Sequence, residues 1–182
     1  MELLDTIKYF AKFPKREGIL KCFSGNGADL EEYTDFKNFI TNLEGNGLMP
    51  EIEDFVISIN EKEVGNRVKN INGYFLFIEY AGINGSPLNE AKNRSIDFQL
   101  AIMVAHHWNR SALDSMSEAI IMDNCLNYLV QISKTMQLDD KLICANRRLM
   151  DGAIRFQPVE PELLYQSIGW ELSFKKTINN LL

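Results

Sequence analysis

The sequence predicts an α+β domain with a mostly antiparallel sheet, one long helix packed on it and two N-terminal helices. Apolar and polar residues alternate over 95–105, as they do in a strand with one buried face. Helical periodicity follows over 111–136. A strand at 154–156 then turns at the two prolines of 158–162 into a last alternating strand at 168–174, which predicts a hairpin. Clustered strands joined by hairpins around one major helix are typical of this class.

The N-terminal region carries two further helix patterns. Apolar residues recur at helical spacing over 1–13, where Pro14 ends the pattern, and again over 30–43. In each pattern the apolar residues gather on one side, so each helix needs a surface to pack on. We therefore divide the chain into an N-terminal helical segment, 1–47, that packs on the core, and an α+β core domain, 48–182.

Two shorter strand patterns lie between these helices and the alternating strand. Residues 55–59 alternate, whereas 74–80 are apolar on both faces, which predicts a central strand covered on two sides. The polar residues 61–71 are predicted to form a connection between the two. Residues 82–87, which combine glycine, asparagine, serine and proline, are predicted to form a long loop.

The long helix has a predicted start and a predicted apolar face. Ser111, with Asp114 three residues later, is a near match to a capping box, so Ser111 is predicted to begin the helix. A broad apolar stripe is predicted to lie across the sheet. Its members are Met116, Ala119, Met122, Leu126, Leu129 and Val130.

Composition bounds the class of function. The chain has 182 residues, 46% hydrophobic and 24% charged, which is enough for one domain that buries about 70% of its surface. The balance of 25 acidic and 19 basic residues gives a net charge of −6, which argues against a nucleic-acid partner. No run reaches the roughly 18 apolar residues of a membrane span, and the acidic N-terminus is unlike a secretory signal, so we expect no membrane partner. Three dispersed cysteines without a Cys-x-x-Cys pair fit a reducing, cytoplasmic setting.

The adjacent histidines His106 and His107 are the most tempting candidates for chemistry, since they are the only two in the chain. Neighbouring residues on a strand face opposite sides of the sheet, so the two cannot bind one metal ion through that strand. The sequence also lacks any His-x-His, His-x-x-x-His or HExxH spacing. We interpret the segment as a half-buried strand end anchored by Trp108. His106 and Trp108 are then the residues that would line a pocket between the long helix and the sheet.

Other motifs indicate turns and solvated surface. The glycine-bearing segment 24–27 lacks the Gly-Lys-Ser/Thr ending of a phosphate loop, and 45–47 follows a helix as a terminating turn. The paired acids at 139–140 and 160–162 lie in predicted loops, which gives no reason for a shifted pKa. No GxSxG serine and no familiar cysteine–histidine spacing is present. We therefore expect a protein that is not an enzyme, with no catalytic residue, metal ligand or cofactor site.

Three arginines form the most distinct charge feature of the sequence. Arg147 and Arg148 precede Arg155, and strand alternation would place Arg147 and Arg155 on one face if the segment were continuous. Guanidinium groups bind carboxylates with good geometry, so the three are candidates for a subunit interface. The alternative is that they are exposed arginines on an edge strand.

The order of patterns over residues 72–176 carries a family resemblance. A strand pair leads into one long helix over the sheet, then a strand, a turn containing Glu160-Pro161, and a last alternating strand that ends with Gly-Trp-Glu-Leu-Ser-Phe at 169–174. This series resembles the tail-terminator or tail-completion proteins of tailed bacteriophages, including prophage copies. Glu160-Pro161 is its one literal match. The two N-terminal helices and the long loop after Gly82 depart from the smallest members of that family.

The resemblance implies a structural protein without catalytic residues or cofactor that assembles as a ring, generally hexameric, at the end of a tail tube. Its partners would be further copies of the same chain and tail-tube or neck proteins, in the cytoplasm and then in the virion. A ring needs complementary but different patches on each subunit. Two alternatives stay open. One is a small-molecule or peptide binding module with its pocket between the long helix and the sheet, and the other is an enzyme with an unfamiliar site.

Overall fold

The computed structural model describes residues 2–23, 25, 29–57, 61–85, 95–107, 114–142, 151–159 and 164–179. Within these ranges the chain forms five α-helices, a short 3-10 turn at Lys21–Phe23, and five strands. The helices are α1 (Glu2–Phe10), α2 (Arg16–Leu20), α3 (Glu31–Thr41), α4 (Glu61–Val68) and α5 (Ser115–Leu142). The strands are β1 (Ile52–Ile57), β2 (Tyr74–Gly85), β3 (Ser95–His107), β4 (Asp151–Val159) and β5 (Ser167–Asn179).

The five strands form one sheet in the order β1-β2-β3-β5-β4. β1 and β2 are parallel and are connected through α4, whereas the other three pairs are antiparallel. The predicted hairpin is the β4–β5 pair, in which Phe156 lies opposite Leu172. The predicted class is confirmed, because the sheet is mostly antiparallel and one long helix and further N-terminal helices accompany it.

One face of the sheet is covered by α5 and by N-terminal helices. The fully buried residues of α5 recur every three or four positions, which turns one side of the helix toward β3 and β5. These residues are Cys125, Leu129, Ile132 and Met136. They share an apolar cluster with Ile102 and Leu172 of the sheet and with Phe10 and Ile40 of α1 and α3. The N-terminal helices therefore contribute to the same core as the sheet.

The other face of the sheet is covered by α4 over part of its length. Val64 and Val68 lie one helical turn apart and pack with Phe75 and Phe77 of β2 in a second apolar cluster. Leu76, between the two phenylalanines, belongs to the first cluster instead. Both faces of β2 are therefore buried at this point, which confirms the prediction of a strand covered on two sides.

Two predictions about the first half of the chain are wrong. The stretch 61–71, predicted as a connection, contains α4. Its few apolar residues are spaced to bury one side of a helix, and the polar remainder hides that pattern in the sequence. Residues 82–85, predicted to begin a long loop, are instead the end of β2, which pairs with β3 as far as Gly85, opposite Ile96, after a register shift between Tyr80 and Gly82. Backbone pairing with β3 thus outweighs the turn-forming composition of 82–85.

The long helix also differs from its predicted start and face. Asp114 is the residue that caps α5, because its carboxylate accepts the Ser117 N–H at 2.8 Å. Ser111 lies outside the described residues. Met116, predicted to lie on the sheet, is 70% exposed, since the fully buried positions of α5 begin only at Cys125. The first turns of α5 therefore leave apolar side chains uncovered within the described part of the protein.

Candidate functional site

Four partly buried side chains meet where β2 and β3 pass under α5. Tyr74 and His106 are cross-strand partners, and their rings pack edge to face with centroids 5.0 Å apart. Tyr128 of α5 packs against Tyr74 in the same manner at 5.2 Å. Asn124, one turn before Tyr128, donates from Nδ2 to the Tyr74 hydroxyl at 2.8 Å. We call this group the Tyr74 cluster.

The Tyr74 cluster lies in the region, between the long helix and the sheet, where a pocket beside His106 is predicted from the sequence. His106 Nδ1 lies 2.8 Å from the backbone oxygen of His107, so Nδ1–H is the donor and Nε2 is left as an acceptor. Burial raises the pKa of Tyr128 further above neutral, and its protonated hydroxyl is a hydrogen-bond donor and acceptor. Trp108 lies outside the described residues. The cluster can offer a ligand hydrogen bonds and ring edges, and its own members already use several of these groups.

His107 faces the opposite side of the sheet, as strand geometry predicts. Its ring donates a hydrogen bond to the backbone oxygen of Tyr165, while Nδ1 is enclosed and has no partner among the described residues. Burial lowers the pKa of His107, as do the nearby His106 and Lys69, and the Tyr165 carbonyl opposes the shift. The two histidines therefore do not share a metal ion. Over the ranges that the structure describes, no group of three or more His, Cys, Asp or Glu side chains is placed to hold one.

The structure contains an ion cluster around a buried carboxylate of β1, which was not predicted from the sequence. The Asp54 carboxylate is 5% exposed and accepts hydrogen bonds from Arg67, at 3.1 Å, and from Lys21. Cys22 contacts the same guanidinium, with Sγ 3.3 Å from Arg67 Nη1, and donates its thiol hydrogen to the Phe55 carbonyl. Burial raises the pKa of Cys22 although Arg67 opposes the shift, so the thiol stays protonated at neutral pH. The partners of Asp54 are 13 and 33 positions away, so no local spacing could have indicated them.

Arg155 is exposed on β4, as the edge-strand interpretation expects. It lies in register, through β5 and β3, with Glu79 of β2, and no salt bridge joins it to another residue of the described ranges. Burial, and then the charge of Glu171, raise the pKa of Glu79 on this face. Arg147 and Arg148 lie outside the described residues, so the interface hypothesis for all three arginines stays a prediction.

The two edges of the sheet do not favour addition of a further strand. At β1 the Lys15 N–H donates to the Ile52 carbonyl at 2.8 Å, and α2 packs on the same strand. At β4 the ladder with β5 is irregular between Asp151 and Arg155, and Pro158 lacks the N–H that a neighbouring strand would need. Prolines, charged residues and irregularities on edge strands prevent edge-to-edge pairing.

Exposed apolar side chains occur at both ends of α5. Met116 and Ile120 lie one turn apart near its start and are 70% and 55% exposed; we call them the N-terminal patch. Leu138 near its end is 60% exposed, and Leu48, which precedes β1, is 61% exposed; we call these two the C-terminal patch. At 1.5 Å per residue, about 33 Å of helix separates Met116 from Leu138.

Lys12 links the two segments that carry the leucines of the C-terminal patch. The Leu48 N–H donates to the Lys12 carbonyl at 2.9 Å. The Lys12 ammonium lies 2.5 Å from the carboxylate of Asp139, the neighbour of Leu138, and the Tyr9 hydroxyl donates to the same oxygen at 2.8 Å. Burial raises the pKa of Asp139, but the hydrogen bonds from Lys12 and Tyr9 outweigh it, and the pKa is lowered. This carboxylate is therefore an ionised anchor for α1.

The paired acids at 139–140, predicted to lie in a loop, are instead part of α5, which continues to Leu142. The glycine motif at 45–47 is a turn, as predicted. Gly45 and Gly47 adopt φ angles of 75° and 93°, which side-chain-bearing residues rarely take, so 45–47 is the predicted turn. Of the segment 24–27 only Gly25 is described, and the acids at 160–162 lie outside the described residues. No described helix is long and apolar enough to cross a membrane.

Comparison with known proteins assigns no family to the chain. No protein-family model matches it, and no curated protein matches it significantly.

Proposed function

We propose that this protein is a non-catalytic structural subunit that assembles with further copies of its own chain, as the tail-terminator or tail-completion proteins it resembles do. The observation that carries the proposal is the pair of apolar patches at the two ends of α5. Each patch consists of two large apolar side chains that are more than half exposed. Burial of a fully exposed side chain of this size is worth about 1.5–3 kcal/mol, so burial of the exposed part of each contributes about half of that or more.

The two patches favour a head-to-tail arrangement of subunits. They differ in residues and lie at opposite ends of one helix, so contact between the N-terminal patch of one copy and the C-terminal patch of the next is heterologous. A repeated heterologous contact closes into a ring when the rotation between neighbours permits closure. The sheet edges offer no comparable surface, since β1 is covered and β4 carries Pro158.

The role at the end of a tail tube depends on the resemblance over residues 72–176. The order β2, β3, α5, β4, β5 agrees with the order on which that resemblance is based. In this role the partners would be tail-tube or neck proteins, and the ring would become part of the virion. Portal, capsid and tail-tube genes beside the coding gene would support the assignment, and their absence would leave self-assembly without a phage role.

Self-assembly is tested by light scattering during size-exclusion chromatography at micromolar concentration. We expect a mass several times the 20.9 kDa of one chain, or a mass that rises with concentration. The double variant Met116→Asp/Ile120→Asp should elute as a monomer, because it places charge where apolar contact is needed. Leu30→Asp is the matched control, since Leu30 is 61% exposed and belongs to neither patch. A monomeric wild-type protein, or an oligomer unaffected by the patch substitutions, contradicts the proposal.

The Tyr74 cluster favours a second candidate, a binding module for a small molecule or peptide. The observation that favours this candidate is that aromatic ring edges and the Nε2 acceptor of His106 lie together between α5 and the sheet. A fragment screen followed by NMR tests it: ligands should shift resonances of His106 and Tyr128, and His106→Ala should abolish binding. Shifts confined to other regions of the protein would exclude this site.

A further inference from the structure

Ser167 and His107 each hold a buried polar atom that lacks a hydrogen-bond partner. Ser167 is fully buried, and its Oγ has no partner among the described residues. The same is true of His107 Nδ1. The two residues are direct cross-strand partners in the β3–β5 ladder. Their side chains therefore leave the same face of the sheet, with Cβ atoms about 4.5–5.5 Å apart.

The hydrogen-bonding roles of the two atoms are set by their surroundings. The His107 ring donates to the Tyr165 carbonyl through a nitrogen that cannot be Nδ1, so the proton is on Nε2 and Nδ1 is an acceptor. The Ser167 hydroxyl is both donor and acceptor. Its backbone N–H is already bonded to the Leu164 carbonyl at 3.0 Å, which ties the start of β5 to the preceding turn. The two side chains leave the same face of the sheet as direct cross-strand neighbours, but Oγ and Nδ1 make no hydrogen bond with each other.

From this juxtaposition we infer that one ordered water molecule is bound between Ser167 Oγ and His107 Nδ1. A water donates one hydrogen to the imidazole lone pair and exchanges a second hydrogen bond with the hydroxyl, so both orphaned groups are satisfied by one molecule. Buried waters in globular proteins typically occupy sites of this kind, between polar groups that have no protein partner. The site joins the last residue of β3 to the first residue of β5, next to the turn at Tyr165.

A single water molecule would satisfy both Ser167 Oγ and His107 Nδ1. A direct hydrogen bond, a metal ion and a larger solute each fit the site less well. The structure contains no direct Oγ–H···Nδ1 bond, since neither atom has a partner among the described residues. A metal ion is disfavoured because a histidine and a serine hydroxyl supply too few ligands, and no cluster of three ligating side chains is present in the described ranges. Ser167 is fully enclosed, which excludes a larger solute from reaching Oγ without local opening.

A crystal structure of the full chain at better than about 2 Å tests the inference directly. We expect a solvent peak within about 2.6–3.2 Å of both Ser167 Oγ and His107 Nδ1. A direct Oγ–Nδ1 hydrogen bond, an empty space, or a side chain from 108–113 or 160–163 between the two atoms would overturn it.

The ¹⁵N resonance of His107 Nδ1 provides an independent solution test. A nitrogen lone pair that accepts a hydrogen bond resonates upfield of one that accepts none, so Ser167→Ala should move the Nδ1 resonance downfield as the water is lost. Ser133→Ala is the matched control, because Ser133 is also a buried serine but lies on α5. This variant should leave the Nδ1 resonance unchanged. Coincident Nδ1 resonances in the wild type and Ser167→Ala, or a proton on Nδ1 at neutral pH, would contradict the inference.

Discussion

Gly18 of α2 lies directly on the backbone of β1 at Glu53. A Cβ atom added at Gly18 would be 2.1 Å from the Glu53 carbonyl oxygen and 2.7 Å from the Cα of Asp54. Because backbone atoms cannot move aside as a flexible side chain does, α2 would have to shift away from the strand. The close approach is what lets α2 cover the outer edge of β1.

Gly18→Ala should therefore lower the free energy of unfolding by about 3 kcal/mol. Urea denaturation followed by circular dichroism measures the change. Gly25→Ala is the matched control, because a Cβ at Gly25 meets no atom within 4 Å. Equal denaturation midpoints for the two variants would show that α2 does not sit on β1 as described.

The turn before β5 holds two residues in the left-handed region of backbone conformation. Tyr165 has a φ of 49° and Gln166 a φ of 62°. For side-chain-bearing residues this conformation costs about 1–2 kcal/mol each. Gln166→Gly should relieve that strain, partly offset by the larger entropy of the unfolded chain, and raise the free energy of unfolding by about 0.5–1 kcal/mol. Gln131→Gly, in the interior of α5, should instead lower it by about 1 kcal/mol. Opposite shifts in thermal midpoint are expected, and shifts of the same sign would refute the strained turn.

Removal of one partner from the Asp54 ion cluster should destabilise the protein, because it leaves a partly buried charge unpaired. Asp54→Ala leaves the partly buried Arg67 without its carboxylate and should lower the free energy of unfolding by about 3 kcal/mol. Asp35→Ala, at an exposed position of α3, should change it by no more than about 0.5 kcal/mol. Chemical denaturation of both variants at pH 7 makes the comparison. A small effect at Asp54 would mean that the guanidinium finds other partners.

His107 should give stability a defined pH dependence. Its pKa in the folded protein is lowered below the ordinary 6.5, so the unfolded chain binds the proton more readily. The contribution of neutral His107 to the free energy of unfolding is complete above pH 6.5. It is lost as the pH falls from 6.5 through the pKa of His107 in the folded protein. Unfolding measured between pH 7.5 and 5 should show this loss in the wild type and in His106→Gln, and a flatter profile in His107→Gln. Parallel profiles for the wild type and His107→Gln would rule out the assignment.

The sequence predicted the sheet and the long helix because their signals are local. Strict alternation over 95–105 and the two-faced apolar run at 74–80 each report burial without reference to any other segment. The helix α4 escaped prediction because eight residues with few apolar side chains give too short a pattern. The strand extension to Gly85 escaped because cross-strand pairing, which no local window contains, decides it.

The candidate sites were less accessible to prediction for the same reason. Opposite orientation of His106 and His107 follows from strand geometry alone, and the structure bears it out. The different surroundings of the two histidines could not be predicted from the local sequence, since His106 packs against Tyr74 and His107 is bonded to the Tyr165 carbonyl. The exposure of Met116 likewise depends on where the buried part of α5 begins, which periodicity does not encode.

The head-to-tail contact between the two patches is tested most directly by mixing two variants. One carries Met116→Asp/Ile120→Asp and keeps the C-terminal patch, and the other carries Leu48→Asp/Leu138→Asp and keeps the N-terminal patch. Each alone should be a monomer by sedimentation velocity. An equimolar mixture should form a dimer and nothing larger, because only one pair of intact patches remains between the two chains. Two species that stay monomeric after mixing would show that the patches do not bind one another.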